Sequence, residues 1–194
     1  MSELNPFEHA LDLTGALLVA MPGMSDVRFD RSVIFVCAHS QDGAMGLMVN
    51  KPAADMELSA LLRHLEIASP AAPRDVPVHL GGPVETSRGF VLHSEDYRSK
   101  LQTLSVAEGF GMTATIDVLE DLAAGEGPAR ALVMLGYAGW GPGQLEGEIA
   151  RNGWLTAEAD AELVFGTRDD DKWMGAVKSL GIDPLGLSGA AGRA

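Results

Sequence analysis

Residues 32–40, SVIFVCAHS, run almost unbroken in β-branched and apolar side chains, and Gln41-Asp42-Gly43 leads straight into AMGLMVNKP. A run of that character predicts a central strand covered on both faces. The short Asp-Gly turn makes a hairpin the natural connection to the second strand, which Asn50 and Pro52 end. The sheet of this chain is therefore not purely parallel. Because strand and helix patterns interleave elsewhere, the expected fold is an α/β (α+β) sandwich: a mixed sheet with helices packed on it, in a single compact domain.

The remaining segments fill in that frame. TGALLVAMP (14–22) reads as a buried strand stopped by Pro-Gly. Asp55 is placed to cap a helix whose Leu58, Leu61, Leu62 and Leu65 fall at i, i+3, i+4 and i+7. A proline-containing loop covers 69–77, VHLGGPV runs into a glycine-proline break, and RGFVLHS (88–94) is a further strand. One or two strands fit between 101 and 115, and a short helix opens at Asp117 and stops at Gly125. ARALVMLGY is a strong buried strand. Pro142 suits the first turn of a helix in which Leu145 and Ile149 share a face and Asn152-Gly153 ends the run. WLTAEADAELVF is strand-like or mixed, and KWMGAVKSLG is a final helix turning Trp173, Val177 and Leu180 inward. A length of 194 residues suits one domain, drawn at 13–187, with an N-terminal extension (1–12) and a Gly/Ala-rich tail (188–194) that reads as mobile.

Charge and cysteine usage narrow the setting. Fourteen basic against 27 acidic residues leave a net charge of −13, a field that repels phosphate backbones and disfavours direct nucleic-acid binding. The single cysteine, Cys37, rules out an intramolecular disulfide and fits a reducing compartment. The start, MSELNPFEHALDL, is acidic and without a long apolar run, so it is not read as a signal peptide, and no segment approaches a membrane span. The expected location is cytoplasmic.

Candidates for chemistry each meet a plainer explanation. His9, His39, His64, His79 and His93 form neither HxH nor HExxH, so no metal ligand set is assigned, although His39, His79 and His93 lie near strand ends where they would be able to converge. No GxSxG elbow supplies a serine nucleophile. Cys37 lies inside an apolar strand, where burial makes a thiol inert. GYAGWGPG precedes a helix but matches no phosphate-binding pattern, and Pro142 removes a donor such a site would use. Its glycines are better read as permitting close strand–helix packing, with Tyr137 and Trp140 covering a cleft. Asp169, Asp170 and Asp171 suit a solvated helix start rather than a cation site. No catalytic residue and no cofactor are assigned, and the balance is against an enzyme.

Three stretches together carry a resemblance. GALLVAMPGMSDVRFDRSVIFVCAHSQDGAMGLMVNKP, HLGGPVETSRGFVLHS and LGYAGWGPGQLEGEIARNGWL occur in the order and spacing of the AlgH/YqgE family, a bacterial family often labelled as transcriptional regulators, and the likeness runs from about Leu13 to Leu187. The resemblance implies a compact α/β sandwich and a cytosolic protein linked by name to gene regulation, and it implies no reaction. It also suggests that the motif residues surround a shallow, partly apolar cleft: Asn50, Gly82, Pro83, Arg88, His93, Tyr137, Trp140, Gln144, Glu146 and Trp154. Two departures, Ala38 where the family usually has an acid and Arg193 where it often has a histidine, remove groups that an acid–base role would need. The leading expectation is a binding or regulatory protein whose partner is another protein, with any effect on transcription indirect. The alternative is a small-ligand binder or enzyme using Asn50, His93 and Glu146, and the blandest option is that the motifs serve folding alone.

Overall fold

The computed structural model describes residues 11–69 and 74–187. His9 and most of the expected N-terminal extension, residues 70–73 of the proline-containing loop, and the tail with Arg193 lie outside the described residues. The strands are β1 (Ala16–Ala20), β2 (Val33–Ser40), β3 (Gly43–Met48), β4 (Val78–Leu80), β5 (Val84–Ser94), β6 (Leu104–Ala107), β7 (Phe110–Thr113), β8 (Ala131–Trp140) and β9 (Trp154–Glu158). The α-helices are α1 (Leu58–His64), α2 (Asp117–Ala123), α3 (Gln144–Ala150) and α4 (Asp169–Ser179).

All nine strands join one sheet in the order β6-β7-β5-β8-β3-β2-β1-β9, with β4 beside β8. The β2–β3 hairpin forms as expected, Ser40 opposite Gly43 and Ile34 opposite Met48. The expectation of a mixed-sheet sandwich is corrected: every ladder along that path is antiparallel, and the parallel pairing is the three-residue β4 against β8. Continuous apolar runs report that both faces of a strand are covered, not which way its neighbours run.

The sheet is also curled. β2 and β7 are four places apart in the strand order, about 19 Å if the sheet were flat, yet the rings of Phe35 and Phe110 meet with centroids 4.8 Å apart. Alternation then sends Leu17, Val19, Phe35, Phe90, Phe110 and Met134 to an inner core, which α4 closes with Trp173 and Val177. On the outside, Leu18, Ile34, Trp140, Leu145 and Trp154 pack under α3, and Val91, Val133, Leu61, Leu62, Val118 and Leu122 pack under α1 and α2.

β8 is the strand that organises the site. One of its edges takes β5, and the other takes β4 near its start and β3 near its end. The link from β4 to β5 crosses β8 so closely that a Cβ on Gly82 would lie 2.0 Å from the carbonyl carbon of Tyr137, and one on Gly136 (φ +72°) 2.5 Å from the Gly82 oxygen. These glycines are required by a backbone crossing.

Smaller expectations shift as well. β5 begins at Val84 rather than at Arg88. α1 follows Glu57 with no side-chain cap, which leaves Asp55 in the preceding turn, and Leu65 lies past the helix end, 39% exposed. The mixed segment after Trp154 resolves into β9 and a π-helical turn, Glu162–Gly166.

Candidate functional site

On the outer face of the sheet, the end of β8, α3, the turn 151–153, the start of β9, Pro83 with Val84, and the loop 21–29 enclose a cleft of about 840 Å³. Two tryptophans form its wall. Trp140 ends β8 and Trp154 begins β9; their rings meet edge to face at 6.0 Å, and Phe29 adds an edge contact to Trp154 at 5.8 Å. The carboxylate of Glu148 holds both in place: its Oε2 accepts the indole N–H of Trp140 at 2.9 Å and that of Trp154 at 2.8 Å. Its Oε1 accepts from Gln144 Nε2 at 3.0 Å, and Gln144 Oε1 in turn accepts the backbone N–H of Gly141 at 3.0 Å. An amphipathic ring with its N–H satisfied is buried without a desolvation cost at the polar tip, and both rings are buried, Trp140 at 7% and Trp154 at 2% exposure.

Met21, Met24 and Pro83 complete the apolar lining. Asp26 and Arg28 neutralise each other, with Nη2 donating to Oδ2 at 2.6 Å, and that guanidinium holds the Asp26 carboxyl below its ordinary range. Arg151, just past the last turn of α3, lines the cleft; its backbone N–H donates to the Gly147 carbonyl at 3.2 Å, and its side chain makes no hydrogen bond or ion pair among the described residues.

The residues expected to share one cleft separate into several groups. Pro83, Trp140, Gln144 and Trp154 line the cleft just described. Tyr137 and Arg88 line a smaller recess of about 410 Å³ at the mouth of the inner core. Tyr137 and Trp140 are three residues apart on one strand and so point to opposite faces, Tyr137 against Phe90 and Trp140 against Trp154. The grouping of these two around a single cleft is corrected for that reason. Gly82 serves the backbone crossing.

Asn50, His93 and Glu146 do not converge either. Buried Asn50 accepts from Val33 N–H at 2.8 Å and donates to the Arg31 carbonyl at 2.9 Å, fixing the start of β2. His93 donates from Nδ1 to the Ser94 carbonyl at 2.8 Å and accepts at Nε2 from the Thr113 hydroxyl at 2.9 Å. Burial pushes its imidazole below the ordinary value. Glu146 accepts from His39 Nε2 at 2.8 Å, and His39 Nδ1 accepts the Leu13 N–H at 3.1 Å. The backbone of Glu146 and that imidazole hold its carboxyl low. With each group bound into its own network, a joint site of these three has no geometric basis.

Other candidates resolve as follows. His39, His79 and His93 have separate partners, and His64 is exposed on α1. Cys37 is buried, and desolvation pushes its thiol up to about 12. Asp169 is not merely part of a solvated helix start. Its Oδ1 accepts from His79 Nε2 at 2.9 Å and from Lys172 Nζ at 2.8 Å, and Lys172, 2% exposed, also donates to the Val49 carbonyl at 2.7 Å. Burial works to raise the Asp169 carboxyl, and these donors outweigh it and hold it low; burial lowers the Lys172 ammonium against the pull of Asp169. His79 Nδ1 is buried without a partner among the described residues. Among those residues no group of three or more His, Cys, Asp or Glu side chains is placed to hold a metal ion, and no helix is long and apolar enough to cross a membrane.

Sequence reasoning missed Glu148 and Arg151. The signal was the i, i+4 spacing of Gln144 and Glu148, on a turn of helix between two tryptophans.

A model of the AlgH-like family matches residues 17–185. A UPF0301 protein of Ruegeria pomeroyi is 66% identical over 185 residues, covering 95% of this chain and 100% of that one. Another, from Cereibacter sphaeroides, is 58% identical over 184 residues, again 95% of this chain and 100% of its own length. The solution structure of the AlgH protein from Pseudomonas aeruginosa is similar with a TM-score of 0.77 and 37% identity, covering 100% of both chains. A crystal structure of a protein from Corynebacterium diphtheriae shares the fold at a TM-score of 0.66 and 19% identity, covering 96% of this chain and 92% of that one.

Proposed function

The chain belongs to the AlgH-like family, and on that premise we propose that it is a cytosolic binding or regulatory protein that engages a partner protein through the Trp140–Trp154 cleft. The observation that carries this reading is the cleft itself: a concavity of about 840 Å³ backed by two buried tryptophans held on one carboxylate, with Met21, Met24, Phe29 and Pro83 partly exposed along it. A firmly backed concavity that mixes apolar side chains with a few polar groups is the usual form of a binding site. Ser25 shares the cleft with the carboxylates of Asp26 and Glu148 but is hydrogen-bonded to neither, so no activated nucleophile is formed there among the described residues and recognition rather than turnover is the activity proposed. With a net charge of −13, any effect on transcription passes through the partner rather than through direct contact with DNA.

The test is comparative capture from native cell extract. Met24→Arg fills the cleft from its apolar rim, and Arg88→Ala alters the recess on the opposite face of β8. A partner retained by the unmodified chain and by Arg88→Ala but lost by Met24→Arg, with all three melting alike, supports the reading. Equal retention by all three removes the cleft from the function.

A further inference from the structure

We infer that His39 is a proton-operated switch on the segment leading into β1: the neutral ring holds the Leu13 peptide, and the protonated ring lets it go and turns to the carboxylate of Asp12. The hydrogen bonds at the two ring nitrogens lead there. Nδ1 accepts the Leu13 N–H at 3.1 Å, so the neutral ring carries its proton on Nε2, which donates to Glu146 at 2.8 Å. A proton added to His39 therefore goes on Nδ1, where it faces the Leu13 N–H, donor against donor. The side chain is 4% exposed, so solvent does not replace the lost bond while the ring stays in place. The other histidines of the sheet lack this property. His93 Nε2 accepts from the Thr113 hydroxyl, and a hydroxyl can turn to offer a lone pair instead. His79 Nδ1 has no partner to lose among the described residues. A peptide N–H cannot turn without the chain, so of these three only His39 passes its charge to the backbone.

The groups around the ring define the two states. α3 brings Glu146, whose carboxyl its own backbone and this imidazole hold low. The segment before β1 brings exposed Asp12, whose Oδ1 accepts the Thr14 N–H at 2.9 Å; that bond holds its carboxyl low, and the charge of His39 adds to the effect. β3 places Ala44 opposite His39, without charge. Both carboxylates favour the imidazolium, and the Leu13 N–H opposes it. Because Asp12 adjoins Leu13, a protonated Nδ1 finds an acceptor in the same short segment. Two further bonds keep the exchange local: the His39 N–H donates to Thr14 Oγ1 at 3.1 Å, and the Gly15 N–H donates to the Val36 carbonyl at 2.8 Å, so β1 stays paired. The residue that moves is Leu13, whose side chain is 5% exposed and belongs to the outer core with Trp140 and Leu145. Histidine changes charge within the physiological range, and the device makes the rim of that core answer to pH.

The isotope-labelled full chain tests this by NMR. At about pH 8, where a histidine is neutral, the ring nitrogens of His39 should report the proton on Nε2, and the Leu13 amide should be protected from exchange. As His39 takes up its proton, Leu13 should lose protection about tenfold, corrected for the intrinsic pH dependence of exchange, the scale of one hydrogen bond given up. The Gly15 amide is the control and should keep its protection through the same titration. Asp12→Asn keeps an acceptor for the Thr14 N–H and removes the charge, so it should move the Leu13 step to lower pH. His39→Phe should abolish the step and leave Leu13 poorly protected throughout; if that variant does not fold, the unmodified chain and Asp12→Asn decide. A proton on Nδ1 at the alkaline end, or a Leu13 amide that keeps its protection while His39 titrates, overturns the switch. Loss of Gly15 in step with Leu13 shows unfolding of the strand, and a step that persists in His39→Phe belongs to another group; either overturns it. An unmoved step in Asp12→Asn overturns the exchange of partners.

Discussion

Glu148 and Lys172 are both charged side chains that the fold turns inward; the partners of Glu148 lie within 8 residues of it, whereas Lys172 reaches Val49, 123 residues away, as well as Asp169. Glu148 collects two indole N–H groups and an amide at the outer face, and it borders a cleft. Lys172 collects the Val49 carbonyl and the Asp169 carboxylate, with His79 on the same oxygen, where α4 closes the inner core. The partners of Glu148 are neutral donors, and its two indoles are packed into the outer core at 7% and 2% exposure. The partners of Lys172 include a second charge, and its ammonium is sealed at 2% exposure. Similar bonding thus serves two ends: at Glu148 it lets two indoles be buried behind a cleft, and at Lys172 it fastens an element.

Lys172→Met gives the largest expected effect. It leaves the Val49 carbonyl without its buried donor and Asp169 with one partner fewer, a loss of about 3 kcal/mol by analogy with other broken buried pairs. A thermal melt should show a fall of roughly 6–12 °C, while the indole signals of Trp140 and Trp154 stay where they are. A shift of those two signals would break the separation between the regions.

Glu148→Ala should cost less, about 2 kcal/mol, because two indole N–H groups lose their acceptor but the ring faces remain packed. Its distinguishing mark is local. The Trp140 and Trp154 indole resonances should move together, with Trp173 unaffected. Movement of only one indole would show that the carboxylate does not bridge the pair.

The smallest effect is titrational. The Asp169 carboxyl is held below its unfolded value, so its contribution is present above the unfolded pKa and is lost as pH falls through the depressed native value. Acid unfolding followed between about pH 4 and pH 2 should therefore steepen with Asp169 and flatten in Asp169→Asn. An identical acid profile in the two chains would remove Asp169 from the pH response and leave the fastening to Lys172 and the Val49 carbonyl.

Much of the fold was legible in local pattern. The β2–β3 hairpin follows from two apolar runs and an Asp-Gly turn, burial of Cys37 follows from its place within such a run, and Trp173 and Val177 follow from helical spacing on α4. The site was less legible. Gly82 and Gly136 were visible as glycines, but the crossing that requires them joins segments more than fifty residues apart. Tyr137 and Trp140 looked like one motif because they are close in sequence, and strand alternation divided them. Glu148 looked like any helix carboxylate until Trp154 was brought to its other side.

The sequence by itself determined which segments are strands and helices, that one turn must be a hairpin, and that the apolar runs are covered on both sides, because these depend on propensity and on spacing within a few residues. Only the tertiary structure decided that the sheet is antiparallel along its length and curls until Phe35 meets Phe110. It alone decided that Lys172 is sealed, that Glu148 holds two tryptophans, and that the Arg151 guanidinium is left without a partner among the described residues. The physical reason is that a charged group takes its role from the donors and acceptors folding brings within about 3 Å of it: Lys172 meets the Val49 carbonyl only through tertiary packing, and the donors of Glu148, though near in sequence, share its carboxylate only because the sheet brings Trp140 and Trp154 together.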